Sequence, residues 1–170
     1  CLPTHSVAKN ILTIGAADDL PGGYSPVGGP QQVLMADFSG WGPTDDGRIK
    51  PDLVGNGMFL FSAWPDYPYY RLAAGTSMAT PNVSGSLLLL QQHWENLNGV
   101  SNYMRAATLK ALAIHTADEA GSAPGPDYSF GWGLLNTLTA AEVISENGGA
   151  HQVIEDSLAE SAVDSHAVNV

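Results

Sequence analysis

Seven residues, Gly75-Thr76-Ser77-Met78-Ala79-Thr80-Pro81, divide the chain into two halves of different character and limit what it can fold into. Before them lie short β-branched and aromatic runs separated by Gly, Pro and Asp. After them the pattern lengthens into helix. A hydroxyl between small residues at a glycine-led turn, directly before the apolar run Leu87 to Leu90, describes a serine at the start of a buried helix. The first backbone N–H groups there lack intrahelical partners, and the helix dipole favours negative charge. Charge developing beside Ser77 would find donors in place, its own N–H among them.

The half before the motif reads as strands and loops. Residues 11–16 are short, β-branched and apolar, the pattern of a buried strand. Residues 18–30 are rich in Gly, Pro and Asp and read as a surface loop. A second short strand is expected over 33–38, a loop over 39–52, a third strand over 58–62 and a fourth over 69–72.

From Ser77 to about Leu97 the chain reads as helix, with Pro81 tolerated because it falls in the opening turn. Ser101 is expected to cap a second helix running to about Thr116. Asn136 or Thr137 caps a third, through Ile144. Residues 58–61 and 87–90 are expected in the core. The organisation expected is a main unit over 1–145, with 146–170 a linker or the opening of a further domain.

The chain has 170 residues, the length of one domain. Its 17 acidic residues against 6 basic ones give a net charge of -11. No basic face is available for nucleic acid. No apolar run approaches the roughly 18 residues of a membrane span. Cys1 is the only cysteine, so no internal disulfide can form.

The motif at 75–81 resembles the nucleophile motif of the subtilisin-like serine proteases, the subtilase family. The likeness continues in order. Residues 8–16 are similar to the strand that follows the family's oxyanion-asparagine region, and 38–44 with 46–54 to its next segment. Residues 111–117 and 130–136 resemble its closing helix and Gly-rich turn. The resemblance implies an α/β fold, here the C-terminal part of a three-layer architecture with a mostly parallel sheet. The segment 46–52 is closest to branches that carry a C-terminal β-sandwich. Three positions depart from the pattern: Gly40 replaces a serine, Gly55-Asn56-Gly57 replaces Ala-Pro-Gly, and Asn82 replaces a non-catalytic histidine. None is expected to touch the nucleophile.

A serine hydroxyl needs a base to take its proton and a third group to orient that base. The resemblance assigns Ser77 as the nucleophile of an endopeptidase that passes through an acyl-enzyme. It places the aspartate, the histidine and the oxyanion asparagine upstream of Cys1, so residues 1–170 alone are expected to be inert. Gly75 and Thr76 would flank the scissile residue through backbone contacts. The substrate is polypeptide, the remaining N-terminal part of the catalytic domain is the expected partner, and secretion follows from the resemblance. No cofactor is required.

The pairs Asp18-Asp19 and Asp45-Asp46 invite a calcium reading, which the family allows in the full-length protein, but two adjacent carboxylates supply few of the six to eight oxygens needed. Solvated turns are the simpler account. His5, His93, His115, His151 and His166 fall in no recognisable base motif. Trp41, Trp64 and the tyrosines of 67–70 suit either a peptide groove or loop packing.

Two alternatives compete. A catalytically inactive pseudoprotease or interaction fragment would keep the shell without the chemistry. An α/β-hydrolase-type esterase would use Asp118 or Asp127 with His151, but 75–79 misses the Gly-x-Ser-x-Gly elbow by one residue and no strands follow it.

Overall fold

The computed structural model describes residues 2–20, 22–23, 29–122 and 124–165. Among these residues four short strands precede three α-helices: β1 (Ile14–Ala17), β2 (Leu53–Asn56), β3 (Leu60–Ala63), β4 (Tyr70–Ala73), α1 (Thr76–Asn98), α2 (Ala106–His115) and α3 (Thr137–Ser145). Cys1, His166 and, within the expected loop over 18–30, Pro21 and residues 24–28 lie outside the described residues.

β1 and β2 pair in parallel, Ile14 opposite Leu53 and Ala17 opposite Asn56. The far edge of β2 meets Leu134 through a parallel bridge to Val54, and the far edge of β1 meets Met35 through an antiparallel bridge to Ala17. The strand expected over 33–38 is therefore a single bridge. Asp18 N–H donates to Leu34 O and Ala36 N–H to Ala16 O, after which the chain turns at Ser39. β2 was not anticipated, because its Gly and Asn are poor strand formers; a parallel partner on each side holds it extended.

Small side chains on β1 and β2 let α1 lie close. Ala16 packs with Ala36 and Ala79, while Ala17 packs with Val33, Val54 and Ala120 on the other face. This two-faced burial is what parallel strands require. At Gly55 an added Cβ would sit 2.6 Å from Val83 Cγ2 on α1. At Gly131, whose φ is +66°, it would sit 2.3 Å from Pro51 O. Both backbones approach too closely for any side chain.

Immediately before β2 lies a densely bonded polar cluster. Asp52 accepts from Lys50 Nζ at 2.6 Å and from Lys110 Nζ at 2.9 Å. It also accepts the Thr13 N–H at 2.6 Å, and both ammonium groups donate to Ile11 O. Lys50 and Asp52 are buried, so each charge is neutralised where water cannot solvate it. The cluster ties the entry of β1, the entry of β2 and helix α2.

Helix α1 turns Val83, Leu87, Leu90 and Trp94 inward, the last two against α2 and α3 in a core with Met104, Leu112, Ala140, Val143 and Ile144. The expectation that all of 87–90 is core is corrected: Leu88 and Leu89 are 71% and 61% exposed. A helix buries positions three and four apart, so four consecutive leucines cannot share one face. Likewise Phe59 and Phe61 are exposed rather than core.

Ser101 does not cap α2; it has a φ of +67°, and its N–H donates to Glu95 Oε1. The helix begins at Ala106, and its open end is capped from a distance. Glu155 accepts from the Arg105 N–H at 2.8 Å and from the Thr108 hydroxyl. These bonds, the Thr108 hydroxyl first, hold the Glu155 carboxyl below the usual range. Asn136 caps α3 as expected, accepting the Thr139 N–H at 3.0 Å.

Candidate active site

Gly75 is the N-cap residue of α1, with φ +150°. Its N–H donates to Gly57 O at 2.8 Å, which ties the turn to the loop after β2. Its carbonyl accepts from Met78 and Ala79 and closes the first turn. Thr76 and Ser77 contribute the first N–H groups of the helix, which have no acceptor within it. No side chain caps this end. Ser77 is exposed, and its hydroxyl makes no hydrogen bond among the described residues.

The hydroxyl opens on a cavity of about 340 Å3 walled by the β3–β4 hairpin and the first two turns of α1. Met78, Pro81 and Asn82 line it from the helix, and Leu60, Trp64, Arg71 and Ala73 from the hairpin. Gly75 and Thr76 flank Ser77 at the mouth without lining the cavity. Asn82, one of the three departures expected to lie away from the nucleophile, stands in the same wall as Ser77; one helical turn separates positions 77 and 81, and residue 82 follows directly.

The hairpin is antiparallel, with Leu60 opposite Ala73 and Ser62 opposite Arg71. Side chains alternate between faces along a strand and opposite residues share a face. Leu60, Ser62 and Trp64 thus stand with Ala73 and Arg71 towards Ser77. Phe61 and Ala63 also border the cavity, and the Phe61 ring stacks on Tyr70 with centroids 5.7 Å apart. Of the aromatic residues weighed for a groove, Trp64 lines this cavity and Trp41 does not, while Tyr67, 82% exposed, packs edge-on against Tyr69 with ring centroids 5.9 Å apart.

Among the described residues no histidine or carboxylate lines the cavity. His93 lies sixteen residues further along α1, about 24 Å at the helical rise, and its Nε2 is 2.8 Å from Ser145 Oγ. His151 pairs with Glu146 at 3.4 Å, and His115 lines a separate cleft beside Val153. His5 lies in a 3-10 turn at Thr4–Val7. Asp118 accepts from Asn136 and Asp127 from the Ser129 and Phe130 N–H groups, so both carboxylates hold turns. Asp19 binds Asn56, and Asp46 binds Arg48 and Thr44. A larger open cleft of about 690 Å3 between residues 9–12 and α2 carries Lys9 and Lys110 but no nucleophile.

Fold and mouth together define a class: a parallel-stranded α/β scaffold that sets a serine at the entry of its longest helix. The chain belongs to the Subtilase family, peptidase S8, whose sequence model matches residues 2–133. It is 43% identical over 61 residues to C5a peptidase of Streptococcus pyogenes, covering 36% of this chain and 5% of that protein. It is 30% identical over 116 residues to Bacillopeptidase F of Bacillus subtilis, covering 68% of this chain and 8% of that protein. The structure of the Clostridium perfringens CspB protease superposes with a TM-score of 0.62 at 25% identity, covering 81% of this chain and 27% of that one. The chain therefore spans a small part of the length of the relatives it matches. This kinship supports a serine peptidase function and leaves the esterase reading without a place. No helix among the described residues is long and apolar enough to cross a membrane.

Proposed function

We propose that Ser77 is the nucleophile of a serine endopeptidase whose catalytic domain includes residues 1–145. The observation that carries this reading is the exposed, unpartnered hydroxyl at the mouth of α1, beside N–H groups the helix leaves free. Ser77 Oγ attacks the peptide carbonyl carbon while a histidine takes its proton and passes it to the departing amine. Water then releases the acyl group by the same route in reverse. The Ser77 N–H and the positive end of α1 oppose the charge on the carbonyl oxygen.

The histidine, its aspartate and the oxyanion asparagine are supplied by polypeptide upstream of this chain. Polypeptide is the substrate, and the protein works outside the cell. Residues 1–170 alone should hydrolyse no peptide; turnover that vanishes in the Ser77→Ala chain would contradict the upstream assignment.

A fluorophosphonate probe applied to the full-length protein tests the nucleophile. Labelling is expected in the wild type and absent in Ser77→Ala. Labelling that persists in the variant would overturn the assignment. An unlabelled wild type would instead identify a catalytically inactive interaction module.

A further inference from the structure

Arg71 stands out in a chain so poor in cations. Four of the six basic side chains are matched to carboxylates: Arg48 to Asp46, Lys50 and Lys110 to Asp52, and Arg105 to Glu155. Among the described residues, Lys9 and Arg71 have no carboxylate partner, although acidic residues outnumber basic ones 17 to 6. Lys9 borders open clefts remote from the serine. Arg71 lines the Ser77 cavity, and its guanidinium carbon lies 4.7 Å from the centre of the Trp64 ring.

That stacking matters for recognition. A guanidinium held over an indole is restrained in position and keeps its N–H edge available, so less entropy is lost when it binds. The strand register brings Ser62, opposite Arg71, to the same face. Leu60, Ala73 and Met78 add apolar lining to the cavity that Arg71, Ser62 and the serine share. The result is a pocket for an extended chain with one cation displaced from the point of attack. A fork of donors in fixed geometry matches a carboxylate better than any other peptide group.

We propose that Arg71, supported by Trp64, is a specificity-determining residue that selects a carboxylate-bearing side chain, Asp or Glu, a few residues from the scissile bond. This rests on the assignment of the cavity as the substrate site. The proposal makes the substrate an acidic peptide segment, which the strongly negative remainder of the surface would otherwise repel.

Two measurements on the full-length protein test it. The first compares kcat/KM for internally quenched peptides, amidated at the C-terminus, carrying Glu or Gln at each position flanking the cleaved bond. At one position Glu should be preferred about fivefold, the scale of an exposed charge pair. The preference should vanish in Arg71→Gln and reverse in Arg71→Glu; a Glu preference of the same size in either variant overturns the proposal. A set with free C-termini separates a terminal carboxylate from a side-chain one; preference confined to that set overturns the side-chain assignment.

The second measures Kd for the same Glu and Gln peptides on the Ser77→Ala protein, read from quenching of indole fluorescence. Glu should again win about fivefold, and by less at 1 M salt. Equal Kd for the two peptides, or a preference that survives Arg71→Glu, overturns the proposal whether or not the wild type turns over. A wild type that takes no label, or a Ser77→Ala protein that still does, together with an Arg71-dependent Glu preference in binding would instead overturn the nucleophile assignment and leave this one standing.

Discussion

Two polar centres lie at either end of the segment from residue 52 to residue 77, and they are built on opposite rules. Around Asp52 the groups are matched and mostly buried: the buried Lys50, the partly buried Lys110 and a backbone N–H converge on one carboxylate. Around Ser77 the hydroxyl is exposed and has no partner, the helix end is uncapped, and Arg71 has no counter-ion among the described residues. Burial makes an unmatched charge costly, so the first centre must be complete before the fold is stable. The second can remain incomplete because water can reach it. On the proposed function, stability and chemistry are thereby separated along one short stretch of chain.

Substitution at the two centres should separate the same two quantities. In the full-length protein Ser77→Ala should lower kcat on the order of 10^6-fold, the scale a triad nucleophile carries in this family. Its stability should stay within about 0.5 kcal/mol of wild type, as for an exposed group without partners. Turnover assays and urea titration of the same preparations measure both. A large loss of stability would make the hydroxyl a structural group and erase the contrast.

Asp52→Asn should show the reverse pattern. It leaves Lys50 buried beside a neutral amide, and breaking a buried ion pair in this way costs about 3–5 kcal/mol. The urea midpoint should fall accordingly, while fluorophosphonate labelling of the folded fraction is unchanged because Asp52 does not line the Ser77 cavity. Unchanged stability would mean that Lys110, which is only partly buried, relaxes into solvent and that the cluster matters less than its geometry implies.

The asymmetry also explains what the sequence could disclose. The mouth of α1 is local: glycine, small residues, a hydroxyl and an apolar run occupy consecutive positions, so Ser77 and the helix behind it are legible from residues 75–97. The Asn136 cap is local too. By contrast, the cap of α2 comes from Glu155, some fifty residues downstream, and Ser101 offered a plausible but mistaken substitute. β2 depends on parallel partners at residues 14–17 and 134, and no short-range signal announces them. Arg71 was missed for a related reason. Its two-residue alternation with Ala73 placed it on the serine's face, but only the register with Ser62 shows which face that is.

The smallest effect tests whether a matched charge at the surface behaves like the buried ones. Asp46 is held at the turn before the Asp52 cluster by Arg48 Nε, at 2.9 and 3.0 Å, and by the Thr44 hydroxyl at 2.6 Å. The Arg48 side-chain bond, then that from Thr44, pulls the Asp46 carboxyl down to about 2. Because the folded value is depressed, the associated stability is present above the ordinary aspartate value near 3.9 and is lost as pH falls from there through about 2. Its size is small because the pair is open to water and screened by salt. An NMR titration of the Asp46 carboxyl should show the depressed midpoint, and Arg48→Gln should raise it towards the ordinary value without reaching it, since Thr44 still donates. A wild-type midpoint near 4 would mean that solvent competes successfully for both donors. Geometry alone would then not make a surface pair equivalent to the one at Asp52, and burial would be the whole of the difference between them.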